Sequence, residues 1–553
     1  MRASELKVSI HLVFFESIVK SLRLGGESVY PRLMTPVSKP DSPMHHPSMA
    51  PLWFDGYVPA RRTTMPDGRR YDVVVIGAGI TGLSTAIMLA RAGKRVAVLD
   101  ARHPGAVATG RSTAKVTLLQ GSTLATIARH HPRSLVRAYV DANRDGQNWL
   151  LEFCRANRVP VEHVVDFSFA QTPDATKRVD NDALVARLAG LPIARLNDCD
   201  LPFATHGAVA LDNQFQVNPM ELVAAMVAEL RRRRVGVYSG VTVTGILPGD
   251  ICMVETSAGR LGARAVVLAT GTPFLDRGLY FAKVASQRSY ALAFDYTGPM
   301  PEGTYLSIDS PSAAPVRSIR TALVGGRRRL IVGGNGHAVG RHPSPRALVD
   351  DLEEWTLARF PGATKTHAWS AQDYRSHNLV PFVGKLPRGA GRIWFATGFG
   401  KWGMTNGPAA ALRMTAEIIG RDAVAEYPWI KVIGRRVTIP PDLATGAAEG
   451  ASVAVRAIGG WIGAELRSVP PRMPTEGRGI VGRVGGAPTA ISTVNGRTCY
   501  LNAVCPHLGG VVTWNDAEKS WDCPLHGSRF APDGTRLEGP ATSGLASGDR
   551  PVR

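Results

Sequence analysis

Residues 71–100 read YDVVVIGAGITGLSTAIMLARAGKRVAVLD. Val73 to Ile76 is a continuous apolar run, the pattern of a strand buried on both faces. Gly77, Gly79 and Gly82 follow as G-x-G-x-x-G, an apolar helical period runs on from them, and a second buried strand, Val96 to Leu99, ends on Asp100. Each glycine answers a physical demand: the first makes a tight turn, the second lets backbone approach a pyrophosphate, and the third lets helix and strand pack closely. The helix start attracts the anion, and Asp100 can accept from ribose hydroxyls. The stretch predicts one β-α-β unit that binds a dinucleotide, and by itself it does not separate FAD from NAD.

Two later segments repeat the strand-then-glycine order: ARAVVLATGTPF at 263–274 and GRIWFATGFGKWGMTNGPAAALRMTAEIIG at 391–420. In the second, Pro408 suits a first helical turn and Gly420 a C-terminal cap. Between them, RSYALAF and RRRLIVGG have the β-rich character of an antiparallel sheet. The interleaving predicts a Rossmann-like nucleotide-binding domain (about 67–150, 205–282 and 390–430) and an antiparallel-sheet substrate domain (about 151–204 and 283–389). A connector at 431–468 and a small all-β domain at 469–553 complete the expected order.

With 553 residues, 44% hydrophobic and 20% charged, the chain is neither fibrous nor disordered and has material for two or three domains. A formal net charge of +20 raises nucleic acid or anionic membranes as partners. The charge is scattered, however, and Arg outnumbers Lys more than fourfold. Its one dense run, Arg231 to Arg234, ends a helical pattern where cations complement the helix dipole. No nucleic-acid partner is expected. Six cysteines without a regular framework argue against a disulfide-stapled secreted protein. No apolar run reaches the ~18 residues of a membrane span, and VSIHLVFF at 8–15 is short for a signal-peptide core. A cytoplasmic location is the expectation. Residues 1–66 are rich in Pro, Ser, Met and His without a period, and are expected to be a loose extension. Translation from Met44 or Met49 would make the first forty-odd residues a start-site artefact.

Near the end stands CPHLGGVVTWNDAEKSWDCPLHGSRF, residues 505–530. Its Cys-x-His and Cys-x-x-His pairs, set among turn-forming Pro506, Gly509, Pro524 and Gly527, suit an asymmetric 2Fe-2S cluster, with two thiolates on one iron and two imidazoles on the other. The same ligand types suit zinc.

The chain from about 70 to 420 resembles the FAD-dependent D-amino-acid oxidase and glycine oxidase superfamily, on DVVVIGAGITGLSTA, GRSTAKVT at 110–117, QVNPMELV at 216–223, VLATGTPF and ATGFGKWGMTNG. The resemblance implies FAD, with Gly77, Gly79, Gly82 and Asp100 on its ADP half. It places Gly110, Arg111, Ser112 and Lys115 near the ring or ribityl chain, and Gly271, Gly400, Gly403, Met404 and Thr405 among the cofactor-binding residues.

CPHLGG, SWDCPLHGSRF and the trailing GPA resemble the Rieske domain, which favours the cluster over zinc. By that resemblance Cys505 and Cys523 bind one iron, and His507 and His526 the other. Respiratory-type domains carry a further cysteine in each loop, paired as a disulfide; Gly510 and Leu525 stand there, so no bridge is expected. Ser528 matches a serine that donates to a bridging sulfide, whereas Phe530 replaces a tyrosine that donates to a ligand cysteine. Such donors stabilise the reduced cluster, so an intermediate potential is expected.

Together the halves resemble D-amino-acid-oxidase-type oxidoreductases with a C-terminal Rieske domain, with added marks in SQRSYALAF at 286–294, SIRTA at 318–322, IVGGNGH at 331–337 and WSAQDYRSHNLVPFVG at 369–384. This implies oxidation of an amine, amino acid or related small metabolite at FAD, and single-electron exchange between FAD, the cluster and an external acceptor or donor. A non-catalytic relay between redox proteins is one alternative. An NAD(P)H-linked reductase serving an oxygenase is another, disfavoured because only one dinucleotide fingerprint is visible. Pocket candidates are Arg288, Tyr290, His337, Asp373, Tyr374, Lys401 and Trp402, each with an ordinary reading as surface cation, core aromatic or loop residue. Arg288 and Tyr290 together suit a carboxylate clamp. Asn378 stands where the family more often has an acid. No catalytic base declares itself, and hydride transfer from a well-aligned neutral amine needs none.

Overall fold

Five parallel strands form the heart of the first sheet, in the order Ile393–Thr397, Gly259–Leu268, Arg70–Ile76, Val96–Asp100 and Gly236–Ser239. They come from a computed structural model that describes residues 49–59, 64–434, 473–484 and 486–548, with isolated positions between 448 and 464. Parallel strands covered on both faces must be apolar throughout, and Val73 to Ile76 and Val96 to Leu99 are all buried. The helix Ile80–Arg91 starts from Gly79 and packs its apolar residues under the sheet. An antiparallel strand, Phe382–Lys385, closes one edge.

The second sheet has nine strands and is mostly antiparallel. Its long members Thr364–Ser376, Val284–Asp295, Arg327–Ala338 and Arg317–Val324 lie side by side, and Glu162–Phe169, Ala208–Gln216 and Lys115–Val116 continue it. Three strands lie in the other sheet from the one expected, the first being Lys115–Val116, which falls inside the 67–150 segment yet pairs with Ala208–Gln216. Ala208–Gln216 pairs with Glu162–Phe169 and belongs to the substrate sheet rather than to the nucleotide-binding segment expected from 205. Phe382–Lys385 pairs with Ile393–Thr397 and belongs to the nucleotide-binding sheet, before the expected return at 390.

Residues 49–57 are not a loose extension. Leu52 and Trp53 are buried in the core of the first sheet, and Trp53 Nε1 donates to the Ser112 carbonyl at 2.8 Å. Residues 1–48 and 60–63 of that expectation, and most of the expected connector, lie outside the described residues. Pro408 lies at the sixth position of the helix Gly403–Ile419 and not in its first turn, because the Trp402 carbonyl already accepts from Thr405 and Asn406. Gly420 caps that helix in the left-handed region, φ +78°.

The C-terminal part is all antiparallel: Arg478–Val484, Ala487–Val494 and Arg497–Asn502 form one small sheet, and Thr513–Asn515, Ser520–Asp522, Arg529–Phe530 and Arg536–Glu538 another. It is docked on the substrate sheet. Arg288 Nε meets Glu518 at 2.6 Å, Gln372 Nε2 donates to the Gly527 carbonyl at 2.8 Å, and Arg341 Nε donates to the Pro524 carbonyl at 2.9 Å. Among the described residues no helix is long and apolar enough to cross a membrane.

Candidate functional site

A long cavity runs between the two sheets, from the Gly-rich turn to the helix start at Gly403. Gly77, at φ +103°, leaves no room for a side chain: a Cβ there would sit 2.4 Å from the Ala269 carbonyl oxygen. At Gly82 it would sit 1.9 Å from the Gly77 oxygen, which makes this glycine the helix-to-turn contact. Asp100 is clasped by the backbone N–H groups of Ala78 and Arg102, both at 2.8 Å. Burial pushes its carboxyl up, and those two donors oppose the shift. The turn, the helix start and the held acid are what the ADP half of a dinucleotide needs.

Gly77, Gly79, Asp100, Arg111, Ser112, Lys115, Gly271, Gly403 and Met404 all line this cavity. Gly82, Gly110, Gly400 and Thr405 stand behind the wall: a Cβ on Gly110 would meet the Gly105 oxygen at 2.3 Å, and Thr405 Oγ1 bonds Asn143 Oδ1 at 2.5 Å. Lys115 Nζ donates to Ser318 Oγ at 2.7 Å and to the Tyr305 carbonyl at 3.2 Å. Burial brings this amine down to about 8.

The pocket candidates separate into two groups. Tyr290, Asp373, Tyr374, Lys401 and Trp402 line the cavity, and Arg288 and His337 do not. Burial raises the Asp373 carboxyl, against the pull of Lys401. Arg288 and Tyr290 do not form a clamp: the Arg288 guanidinium is fully buried between Glu518, Glu538 and Gln372, and the charges acting on the Tyr290 hydroxyl are Glu518, Arg288, Asp522 and Arg529. His337 stacks on Tyr290, centroids 5.6 Å apart, outside the cavity wall. Asn378 is also outside, its carbonyl paired with the His131 ring at 2.8 Å.

At the far end two short loops are built alike. Cys505 N donates to the Gly510 carbonyl and Gly509 N to that of Cys505; Cys523 N donates to the Ser528 carbonyl and Gly527 N to that of Cys523. The repeat brings both thiols together and sets the rings of His507 and His526 5.1 Å apart at 87°. His526 Nδ1 is buried without a protein partner, and burial together with His507 holds this imidazole down to about 3, in its neutral, metal-binding form. Hydrogen bonding from Cys523, then the His507 N–H and the Ser528 hydroxyl, draw the Cys505 thiol to about 7, against burial. Two thiols, two imidazoles and an orphaned ring nitrogen fit a 2Fe-2S cluster. No disulfide spans the loops; Leu525 lies where a Gly510 side chain would be, 2.7 Å from that Cβ position.

Residues 72–417 match the family described as DAO, FAD dependent oxidoreductase, which is more than half of the chain. The chain belongs to that family. Residues 471–548 match the Rieske [2Fe-2S] domain, so this FAD-dependent oxidoreductase carries FAD and a 2Fe-2S cluster. It is 29% identical over 481 residues to YhfW of Bacillus subtilis (strain 168), whose name places it with the Rieske 2Fe-2S iron-sulfur proteins; the match covers 86% of this chain and 92% of YhfW. The cytochrome b6-f complex iron-sulfur subunit of Cyanothece sp. (strain PCC 7425 / ATCC 29141) is 38% identical over 114 residues, 20% of this chain and 62% of that one. In fold it is similar to glycine oxidase from Geobacillus kaustophilus (TM-score 0.53, 17% identity, 64% of this chain and 96% of that). It is also similar to L-proline dehydrogenase from P. horikoshii (TM-score 0.52, 15% identity, 67% and 99%).

Sequence reasoning missed Arg102, Thr242, Gln372 and the 536–542 segment of the Rieske domain, all of which line the cavity or bridge to the cluster loops. Arg102, two residues past the acid at the strand end, had a local signal. Of the others, the GPA at 539–541 carried a Rieske resemblance but no sign of a cavity wall.

Proposed function

We propose that this oxidoreductase oxidises an amine, an amino acid or a related small metabolite at FAD, and that electrons pass one at a time between FAD, the Rieske cluster and an external partner. One observation carries the reading. Gln372 and Tyr374 alternate along the strand Thr364–Ser376, and they tie the cavity to the cluster: Gln372 Nε2 donates to the Gly527 carbonyl beside His526 and to the Tyr374 hydroxyl at 3.0 Å. Tyr374 lines the cavity and donates to the Gly539 carbonyl at 3.2 Å. Bound FAD supplies two-electron acceptance from a C–H bond, and the cluster supplies one-electron passage. The chain's own groups do the rest. Lys115, Lys401 and Asp373 offer charges to orient a small polar substrate, and Trp402, held by Thr123 at 2.9 Å, supplies an apolar wall.

The test is an anaerobic screen of amino and imino acids against the purified protein. Flavin bleaching by a substrate, followed by the electron paramagnetic signal of the reduced cluster, is the expected result. Rapid bleaching by NADH alone overturns it. Cofactors that ignore every metabolite but exchange electrons with a redox protein make the molecule a relay.

A further inference from the structure

The wall of the FAD cavity is not made by the oxidoreductase domain alone. Arg536, Leu537, Glu538, Gly539, Pro540 and Thr542 of the Rieske domain line it too. Arg536 stands close enough to Asp100 and Arg102 for their charges to act on it. Its guanidinium donates to Thr242 Oγ1 at 3.2 Å, across the domain boundary, and to the Ala541 carbonyl at 3.1 Å. Thr242, Asp100 and Arg102 share that end of the cavity with it.

Arg102 adds a second, independent sign. Its Nη2 is buried without a protein partner, although the side chain stands beside Asp100 on the cavity wall. Burial works against the charge of both guanidiniums, and Arg536 also feels Arg102 as a repelling cation. Two partly buried guanidiniums on one cavity wall are costly unless an anion comes between or beside them. The nearby acids Glu538 and Asp100 offset part of that cost, but each has other partners: Asp100 is clasped by two backbone N–H groups, and Glu538 is paired with Arg288 and Arg529.

We infer that Arg536, borne by the Rieske domain, together with Arg102 binds the anionic ADP half of FAD, so the cluster domain closes the flavin site and FAD retention depends on it. Guanidinium forks match phosphate oxygens and ribose hydroxyls. Two domains that each own a cofactor would load them independently; here the FAD site is incomplete without the other domain.

The experiment uses full-length protein that keeps its cluster and has been freed of flavin, titrated with FAD and, separately, with ADP as a competitor. Arg536→Gln is expected to weaken both FAD and ADP by about tenfold or more, the scale of a lost charge-assisted bond. The cluster's paramagnetic signal should stay intact, and Arg497→Gln, at an exposed Rieske position, should bind as wild type. Arg536→Lys should recover part of the affinity. Unchanged FAD and ADP affinity in Arg536→Gln overturns the inference while leaving the oxidoreductase reading untouched. Weaker FAD with unchanged ADP assigns Arg536 to domain docking and overturns it equally. Substrate screens do not enter this test, so failure of the proposed reaction and failure of the Arg536 contact are separate outcomes.

Discussion

Ser528 does two things with one hydroxyl. Its oxygen accepts from Ala541 N at 3.0 Å, which fixes the rotamer, and its proton is left to the sulfur side, where the hydroxyl stabilises the Cys505 thiolate. Phe530, fully buried two residues on, has no hydroxyl to add a second donor. Ser528→Ala should therefore lower the cluster potential while keeping the full signal; redox titrations that superimpose would remove the serine from the argument. This donor was legible in the motif because it lies five residues past Cys523. Arg288 was not: its partners Glu518 and Glu538 are 230 and 250 residues away, and nothing local distinguishes a clamp for substrate from a clamp for another domain.

The helix Pro219–Arg232 shows how an element is anchored. Asn218 caps its start by accepting from Met220 and Glu221, and Glu229 near its end receives Arg91 at 2.9 Å, Arg233 at 3.0 Å and Asn157 at 3.0 Å. Burial alone would raise this carboxyl, but the three donors outweigh it and hold it at about 2 instead of 4.5. The lowered value means that the stabilisation is complete above 4.5 and is lost as pH falls from there toward 2. It amounts to at most about 3 kcal/mol. Glu229→Gln should flatten the acid limb of the stability curve in that window, as followed by chemical denaturation at stepped pH; an unchanged limb places the acid sensitivity elsewhere. The helix itself, ending in its run of arginines, was readable from the sequence pattern. The sheet that Ala208–Gln216 joins was not, because strand pairing is a property of two segments and the pattern shows only one.

At the scale of the molecule, a buried ion cluster holds the Rieske domain in place. Arg288 and Arg529 face Glu518, Glu538 and Asp522 with side chains at most 10% exposed. Burial opposes the Glu518 charge, and Arg288 and Arg529 more than restore it. Removing one member of such a cluster strands the others, at a cost of about 3–5 kcal/mol. Arg288→Gln should lower the melting temperature and slow cluster reduction after the flavin is reduced, read by stopped-flow absorbance; wild-type values for both would make the cluster dispensable for docking. Both cofactor motifs and the class of fold are written in the linear chain. Their determinants are short-range: three glycines and an acid in one β-α-β unit, and four ligands in two tight loops. Legible in three dimensions alone are the service of Arg288 at the domain interface, the link that Gln372 and Tyr374 make between the cavity and the Gly527 loop, and the Rieske-domain residues 536–540 and 542 in the cavity wall. Those features depend on side chains hundreds of residues apart being desolvated together, and a linear pattern carries no record of which distant charge will be the neighbour.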